Sequence, residues 1–414
     1  MVTLAILKAF KAVRPNVELV KKVASKPYDV LNSNEARKEV ENNPYSFLHV
    51  VKPEVDLDPS ISQYDDVVYQ KAAENLKKFI DENTLIQDAE DSLYCYEQEW
   101  KGHTQVGVVG CFSVDEYQAA KIKKHEFTRR KKEDDRVKNI LATNANTGPV
   151  FLTYRSDEAI DEALLKNTQS EKLYEIQDEY DCIHRIYKVT NKEELISSFK
   201  PVNAFYIADG HHRAASASRV RDIKKEENAN HTGEEEYNYF LAVLFPHNQL
   251  KILDYNRVVK DLNGKSTEEF MSEIKDNFDV ANALETPYSP KKQKEFGMYI
   301  DSKWYAISAK EGSFDTQDPV KSLDVAILQD NLLTPVLGIQ DPRSDERVDF
   351  IGGIRGLSAL EKKVDSGEWK VAFSMYPTEM EQLLDVADAD KTMPPKSTWF
   401  EPKLRSGLFV HLLK

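Results

Sequence analysis

Cysteine is nearly missing from this chain: Cys95, Cys111 and Cys182 are its only three in 414 residues. An odd number, set far apart, supports neither a disulfide framework nor a spaced set of metal ligands, so a reducing, cytoplasmic setting is expected. Long apolar runs are missing too. The longest, around Tyr239 to Phe245, covers only about a third of a bilayer span, and no membrane segment is expected. Met1 to Pro15 is mildly apolar but broken by Lys8 and Lys11, with no small-residue cleavage site after it, and does not read as a signal peptide. Positive charge is in deficit: 56 Lys and Arg stand against 70 Asp and Glu, a net charge of −14. That balance argues against nucleic acid in general and against an anionic membrane surface as partners. Glycine-rich phosphate loops are lacking as well. No GxGxxG follows an expected strand, the Gly352-Gly353 pair falls in an expected loop, and Pro394-Pro395-Lys396-Ser397-Thr398 has none of the glycines a Walker-type loop needs. There is no internal repeat and no low-complexity tract.

What remains is an ordinary globular composition, 41% hydrophobic and 30% charged. The chain is long for a single core, so two domains are expected: residues 1–236 and 237–414. The stretch that organises it is NAFYIADGHHRAASASRV, Asn203 to Val220. Ala204 to Ala208 is too short and too aromatic for a helix and reads as a strand. Asp209-Gly210 makes the turn, and Ala214, Ala215 and Ala217 begin a run of strong helix formers. His211, His212 and Arg213 therefore fall on the first helical turn, where free N–H groups and the positive end of the helix dipole gather. Alone, Asp-Gly followed by one His is a turn with a packed imidazole. Five such residues in a row, followed by small ones, read as an anion site.

Before that stretch, residues 3–13 read as a strand or buried edge. Asn32 to Asn34 reads as a cap on a short helix running from Glu35 to Glu41, and Ser46 to Val51 as a strand. Asp66 to Asn83 is an amphipathic helix with Val67, Ala72, Leu76 and Ile80 on one face. Thr104 to Phe112, almost wholly apolar, is a central strand. Lys121 to Lys138 carries nine basic residues against four acidic ones. Charge runs are ordinarily solvated helix faces; within this one His125, Glu126, Thr128 and Arg129 are assigned to phosphate. Val150 to Tyr154 is a buried strand and Cys182 to Lys188 an edge strand. Further on, Phe240 to Phe245 and Leu250 to Asn256 read as a hairpin.

The ADGHHR motif at Ala208 to Arg213 resembles that of the free-serine kinases, a family long described only as a domain of unknown function. Ordered matches run along most of the chain: SKPYDVLNSNEAR at Ser25 to Arg37, IKKHEFTRRKKEDDR at Ile122 to Arg136, NTGPVFLTY at Asn146 to Tyr154, YNRVVKDL at Tyr255 to Leu262, LGIQDPR at Leu337 to Arg343, and PPKSTWFEPKLRSGLF at Pro394 to Phe409. The resemblance implies a mixed α/β to α+β chain, with a ParB/sulfiredoxin-like catalytic region in residues 1–236 and an α+β region in 237–414 completing the cleft. It implies phosphorylation of free L-serine to O-phospho-L-serine with ATP or ADP as donor and Mg2+ required. In the related sulfiredoxins a reactive cysteine precedes the final His-Arg. Here His211 stands there, which removes the thiol needed for sulfinic-acid repair.

On this reading Gly210, His212 and Arg213 hold the nucleotide's phosphates with His125, Glu126, Thr128 and Arg129, and His211 takes part in catalysis. Asp209, acceptor-only when ionised, suits Mg2+ or the serine hydroxyl. By resemblance to an N-terminal catalytic glutamate, Glu35 is the expected general base; Asp29 follows it and Glu126 is third. Glu35 reads equally well as a helix-capping carboxylate. Lys396 or Arg405 is placed in the second domain, reaching a substrate carboxylate or making an inter-domain contact. The expected partners are the nucleotide and free L-serine, with a homodimer left open. The competing reading is a ParB-like nucleotide-binding switch without phosphotransfer.

Overall fold

The computed structural model describes residues 6–414, so the part of the expected first strand before Ile6 lies outside the described residues. Contacts divide the chain into two compact units. One holds the residues through Lys124 together with Thr128–Leu250 and Pro402–Lys414; the other holds His125–Phe127 and Lys251–Glu401.

The first unit is built on a nine-stranded sheet: β1 (Leu7–Lys8), β2 (Tyr94–Trp100), β3 (His103–Ser113), β4 (Ile122–Lys123), β5 (Val150–Tyr154), β6 (Lys172–Gln177), β7 (Ile183–Lys188), β8 (Phe205–Asp209) and β9 (Tyr239–Pro246). The order is β4-β8-β5-β9-β3-β2-β7-β6, with β1 also paired to β3. Pairing is mixed: β9 runs parallel to β5 and β8 parallel to β4, while the other neighbours are antiparallel. The strands β5 and β9 are buried over nearly their whole length, as strands covered on both faces must be. Val106, Val108, Leu152, Ile207, Ala242 and Leu244 share one core with Ala214 and Ala217. Each large apolar side chain so buried contributes about 1.5–3 kcal/mol.

Four helices of this unit carry or brace the motif stretches: α1 (Ser33–Val40), α2 (Asp66–Asp81), α3 (Arg130–Thr143) and α4 (His211–Glu227). α2 packs on α3, and α3 on α4. The last residues return to this unit. Ser406 pairs backbone to backbone with Ser25, Val410 with Val13, and His411–Leu412 with Ala145–Asn146. Three of the motif stretches are thereby stitched together.

The second unit carries a six-stranded, wholly antiparallel sheet of Tyr255–Val259, Phe278–Val280, Glu295–Ile300, Lys303–Ala309, Val348–Gly352 and Val371–Met375. Trp304, Trp369 and Leu360 anchor its core. Among the described residues, no helix is long and apolar enough to cross a membrane.

Several local expectations are corrected. Leu48–Val51 is a turn of helix, not a strand, because a short apolar run has no period to tell the two apart. In α2 the buried stripe is Val68, Ala72, Leu76 and Phe79, and Val67 is exposed. β7 is not an edge strand, since β6 covers it. β9 and the segment after it form no hairpin: Lys251–Leu253 pairs instead with Trp399–Glu401. Because β9 completes the large sheet, the compact units part at 250/251, with a return at 402.

Candidate active site

β8 carries a bulge between Ile207 and Asp209 where it pairs with β5. The extra residue re-aims Asp209 at the strand's end. Gly210 follows at φ +92°, a conformation that side-chain-bearing residues rarely adopt. A Cβ there would lie 3.4 Å from the Arg213 guanidinium and from Val150 Cα. The peptide N–H groups of Arg213 and Ala214 close on Gly210 O at 2.9 and 3.1 Å, starting α4.

Asp209 is half-buried. Its Oδ1 accepts the Gly210 N–H at 2.7 Å and its Oδ2 pairs with Lys403 Nζ at 2.8 Å. Burial alone would raise its pKa, but Lys403, Arg213 and these hydrogen bonds outweigh it and hold the carboxyl well below the usual range. His211 is buried, and burial pushes its pKa down to about 4 against the opposing pull of Asp209. It is therefore a neutral imidazole at pH 7, not a cationic clamp. His212 Nε2 accepts the Arg129 N–H at 3.0 Å, which puts any proton of the neutral ring on Nδ1. Arg213 donates through Nη1 to Pro149 O, while its buried Nε–H has no partner.

Of the residues singled out from sequence, Asp209, Gly210, His211, His212 and Arg213 thus form one turn, with Arg129 joined to it. Thr128 donates its hydroxyl to Glu133, which also pairs with Arg219 at 3.3 Å. His125 is buried, and its carbonyl accepts the Met393 N–H at 2.8 Å within the second unit. Glu126 is half-buried in the same three-residue segment. Glu35 is exposed and closes a capping box with Asn32: Asn32 Oδ1 takes the Glu35 N–H and Glu35 Oε2 takes the Asn32 N–H, each at 2.9 Å. Arg405 belongs to the first unit, which corrects its placement in the second. It is spent on Asp178 and Glu179, both at 2.6 Å.

Two adjoining hollows open in the first unit. The inner one, about 30 Å³, is lined by Asn146, Thr147, Gly148, Arg213 and Ser406. The outer one, about 140 Å³, is lined by Asp29, Lys52, Glu54, Lys132 and Asp135. Tyr28, Val51, Arg136 and Asn139 belong to both. Arg136 is buried, pairs with Asp135 at 2.7 Å and lies over the Tyr28 ring at 4.0 Å. Glu54 is buried, takes the Ser33 hydroxyl at 2.8 Å and pairs with Lys52 at 3.0 Å.

Sequence reading does not single out Lys403, Arg136, Asn139 or Glu54 as site residues. For two of them a signal is present. Arg136, Asn139 and Thr143 recur at helical spacing on the buried face of α3, a polar stripe where an amphipathic helix would place apolar residues. Asp178, Cys182 and His184 also offer ligand atoms within 4.8 Å of one another. There, however, Asp178 Oδ2 is held by His184 at 3.0 Å and by Arg405 at 2.6 Å, and Oδ1 caps the turn through the Tyr180 and Cys182 N–H groups. The trio is an ion-pair and turn-capping node.

The bulged strand, left-handed glycine and polar first helical turn belong to a mixed α/β protein. The chain belongs to the family described as a protein of unknown function, DUF1015, whose model matches residues 7–326. No curated protein matches the chain. Among solved structures, it is similar to a free serine kinase in complex with AMP, at 13% identity over 73% of this chain and 91% of that one, TM-score 0.36. It is also similar to a conserved hypothetical protein from Pyrococcus furiosus, at 13% identity, 73% and 95% coverage and TM-score 0.35. A third is SbnI with a C-terminal truncation from Staphylococcus aureus, at 13% identity, 73% and 87% coverage and TM-score 0.32.

Proposed function

We propose that this protein is a small-molecule kinase that transfers a phosphoryl group from ATP or ADP to the hydroxyl of free L-serine. One observation carries the reading: Asp209 and Arg213 flank Gly210, setting a fixed anion and a guanidinium with a partnerless Nε–H at one helix mouth. Phosphoryl transfer is served mainly by positioning and by charge on the transferred group, and such a turn supplies both. In the reaction the serine Oγ–P bond forms as the donor's P–O bond breaks. The hydroxyl proton passes to a carboxylate, leaving O-phospho-L-serine and ADP or AMP.

Arg213 and the first turn of α4 would hold donor phosphate, with Gly210 allowing close approach. His212, bonded to the Arg129 N–H, joins Arg129 to the motif; His125, Glu126, Thr128 and Arg129 are assigned to the nucleotide. His211, neutral, would donate or accept a single hydrogen bond during catalysis. Asp209, ionised throughout the working pH range, is suited to hold Mg2+, which would supply neutralising charge to the phosphates. Glu35 must leave its cap to act as base. Asp29 is the first competing carboxylate and Glu126, three residues before Arg129, the second. Residues 1–236 as the catalytic region and 237–414 as its complement are part of the same proposal, amended by the tail that brings Lys403 and Ser406 to the first unit. Cytoplasmic placement and the choice of serine belong to it too.

The test is direct. Purified protein, Mg2+ and L-serine with ATP or ADP should yield phosphoserine by mass spectrometry. No turnover of any free hydroxy amino acid with either donor would end the reading; nucleotide binding without turnover would favour a switch protein.

A further inference from the structure

Three polar side chains lie abreast inside the large sheet. Gln105 of β3 pairs in register with Gln98 of β2, and Gln98 pairs on its other side with His184 of β7. Each is 0% exposed, in a sheet interior where apolar residues are the rule. The row is also imperfectly satisfied, since Gln105 Oε1 has no partner among the described residues. Apolar side chains of the same shape would be no more costly to bury. Stability alone does not account for the row; what it touches does.

Its hydrogen bonds lead to one short segment of the tail. Gln105 Nε2 donates to Gln98 Oε1 at 2.9 Å, which turns the Gln98 amide so that its Nε2 donates to Lys403 O at 3.0 Å. Beside it a closed ring of hydrogen bonds begins and ends on Arg405. The Arg405 N–H donates to Tyr96 Oη at 3.4 Å, and the Tyr96 hydroxyl donates to His184 Nδ1 at 2.8 Å. His184 Nε2–H then donates to Asp178 Oδ2 at 3.0 Å, and the same oxygen takes the Arg405 guanidinium at 2.6 Å. Donors and acceptors alternate in this ring only when His184 is neutral, the state that its burial favours. Lys403 is thus held at both ends, by its carbonyl on Gln98 and by its ammonium, 2.8 Å from Asp209 Oδ2. A flexible four-carbon stem joins the two, so where the ammonium can reach depends on where the backbone is pinned.

We infer that Gln98 is a positioning residue: by fixing the Lys403 carbonyl it sets the Lys403 ammonium on Asp209. Gln105 orients the Gln98 amide, and the Arg405 ring anchors the segment two residues further on. Gln98 touches no reacting group and acts through Lys403. Its effect on turnover rests on the kinase reading; its effect on the Lys403–Asp209 pair does not.

The experiment uses the full chain and reads Lys403 by its rate of acetylation with acetic anhydride, resolved by peptide mass spectrometry. In the wild type Lys403 should label roughly tenfold more slowly than the exposed Lys362, because a paired ammonium keeps its proton. Equal rates overturn the inference before any variant is made. Gln98→Met keeps length and volume but donates nothing. It should speed the labelling of Lys403 about fivefold, as Asp209→Asn does, by loosening the pair. Lys294, paired with Asp324 in the second unit, should label as before; a merely structural role would speed both lysines or neither. Should Gln98→Met not fold, Gln105→Leu removes the group that orients the amide and should give the same change at smaller size. Gln98→Met should also lower the half-maximal Mg2+ concentration for turnover, and should shift it no further in a Lys403→Met background. An unchanged Lys403 labelling rate in a folded variant overturns the positioning role and leaves the kinase reading standing, and so do Mg2+ shifts that add. Faster labelling with no phosphoserine from the wild type keeps the role and discards the kinase.

Discussion

Lys403 Nζ stands 2.8 Å from Asp209 Oδ2, although 194 residues separate them in the chain. The tail thereby supplies the cation that keeps the motif's carboxylate ionised, and it competes with any metal for the same oxygen.

Replacing Lys403 with Met should raise the Asp209 pKa toward the ordinary range and destabilise the fold by about 1–3 kcal/mol, the cost of leaving a half-buried charge without its partner. Both residues are partly shielded from solvent. If Asp209 holds Mg2+, the half-maximal Mg2+ concentration for turnover should fall severalfold. A metal titration beside a denaturation curve reads both effects.

Gly210→Ala places a side chain at φ +92°, within 3.4 Å of Arg213 and Val150. The expected cost is about 1–2 kcal/mol of stability, with a weaker nucleotide complex, because the turn must open to admit the methyl. Chemical denaturation and fluorescent-nucleotide titration measure the two losses.

Arg213→Lys retains charge but loses the planar fork. Nucleotide affinity should drop by about ten- to a hundredfold, in keeping with one lost charge-assisted hydrogen bond of about 1.5–3 kcal/mol. An unchanged dissociation constant would show that the phosphate lies elsewhere.

His211 gives a pH signature. Its folded pKa, lowered by burial to about 4, sits beneath the ordinary 6.5 of the unfolded chain. Between these values the unfolded state binds the extra proton. The stabilisation is thus complete above about pH 6.5 and is lost as pH falls toward 4, amounting to about 3 kcal/mol in all. His184 and His411 are lowered in the same direction by their burial. The diagnostic is therefore the difference: a His211→Asn variant should show a shallower acid slope than the wild type in urea titrations from pH 4 to 7.

Two of the three candidate bases, Glu35 and Glu126, separate cleanly. Glu35→Gln preserves the capping box, since glutamine serves at that position, and should leave stability within about 0.5 kcal/mol. A fall in turnover of two orders of magnitude or more for that variant would make Glu35 the base. The same fall for Glu126→Gln, with Glu35→Gln active, transfers the role.

The strand–turn–helix around Gly210 is legible in the sequence because it is local: an aromatic β run, a turn pair and an alanine-rich segment each carry their own propensity. The Asn32–Glu35 cap is legible for the same reason. What sequence reading cannot show is set by distance. Nothing local says that Lys403 meets Asp209 or that β9 lies between β3 and β5, since these depend on non-local pairing. Val67 is misplaced by its periodicity because adjacent valines fit one helical stripe about equally until a neighbour helix selects Val68. The neutral state of His211 is hidden as well, for burial alone sets it.

The pairing of Val410 with Val13 and of His411–Leu412 with Ala145–Asn146 bears on how the molecule is made. A ribosome releases the N-terminal sheet strands long before it translates the residues that brace them. The turn at Gly210 can fold early, but Lys403 is translated 194 residues after the Asp209 it pairs with. A nascent chain or fragment that stops short of residue 403 would therefore carry the motif without its counter-charge.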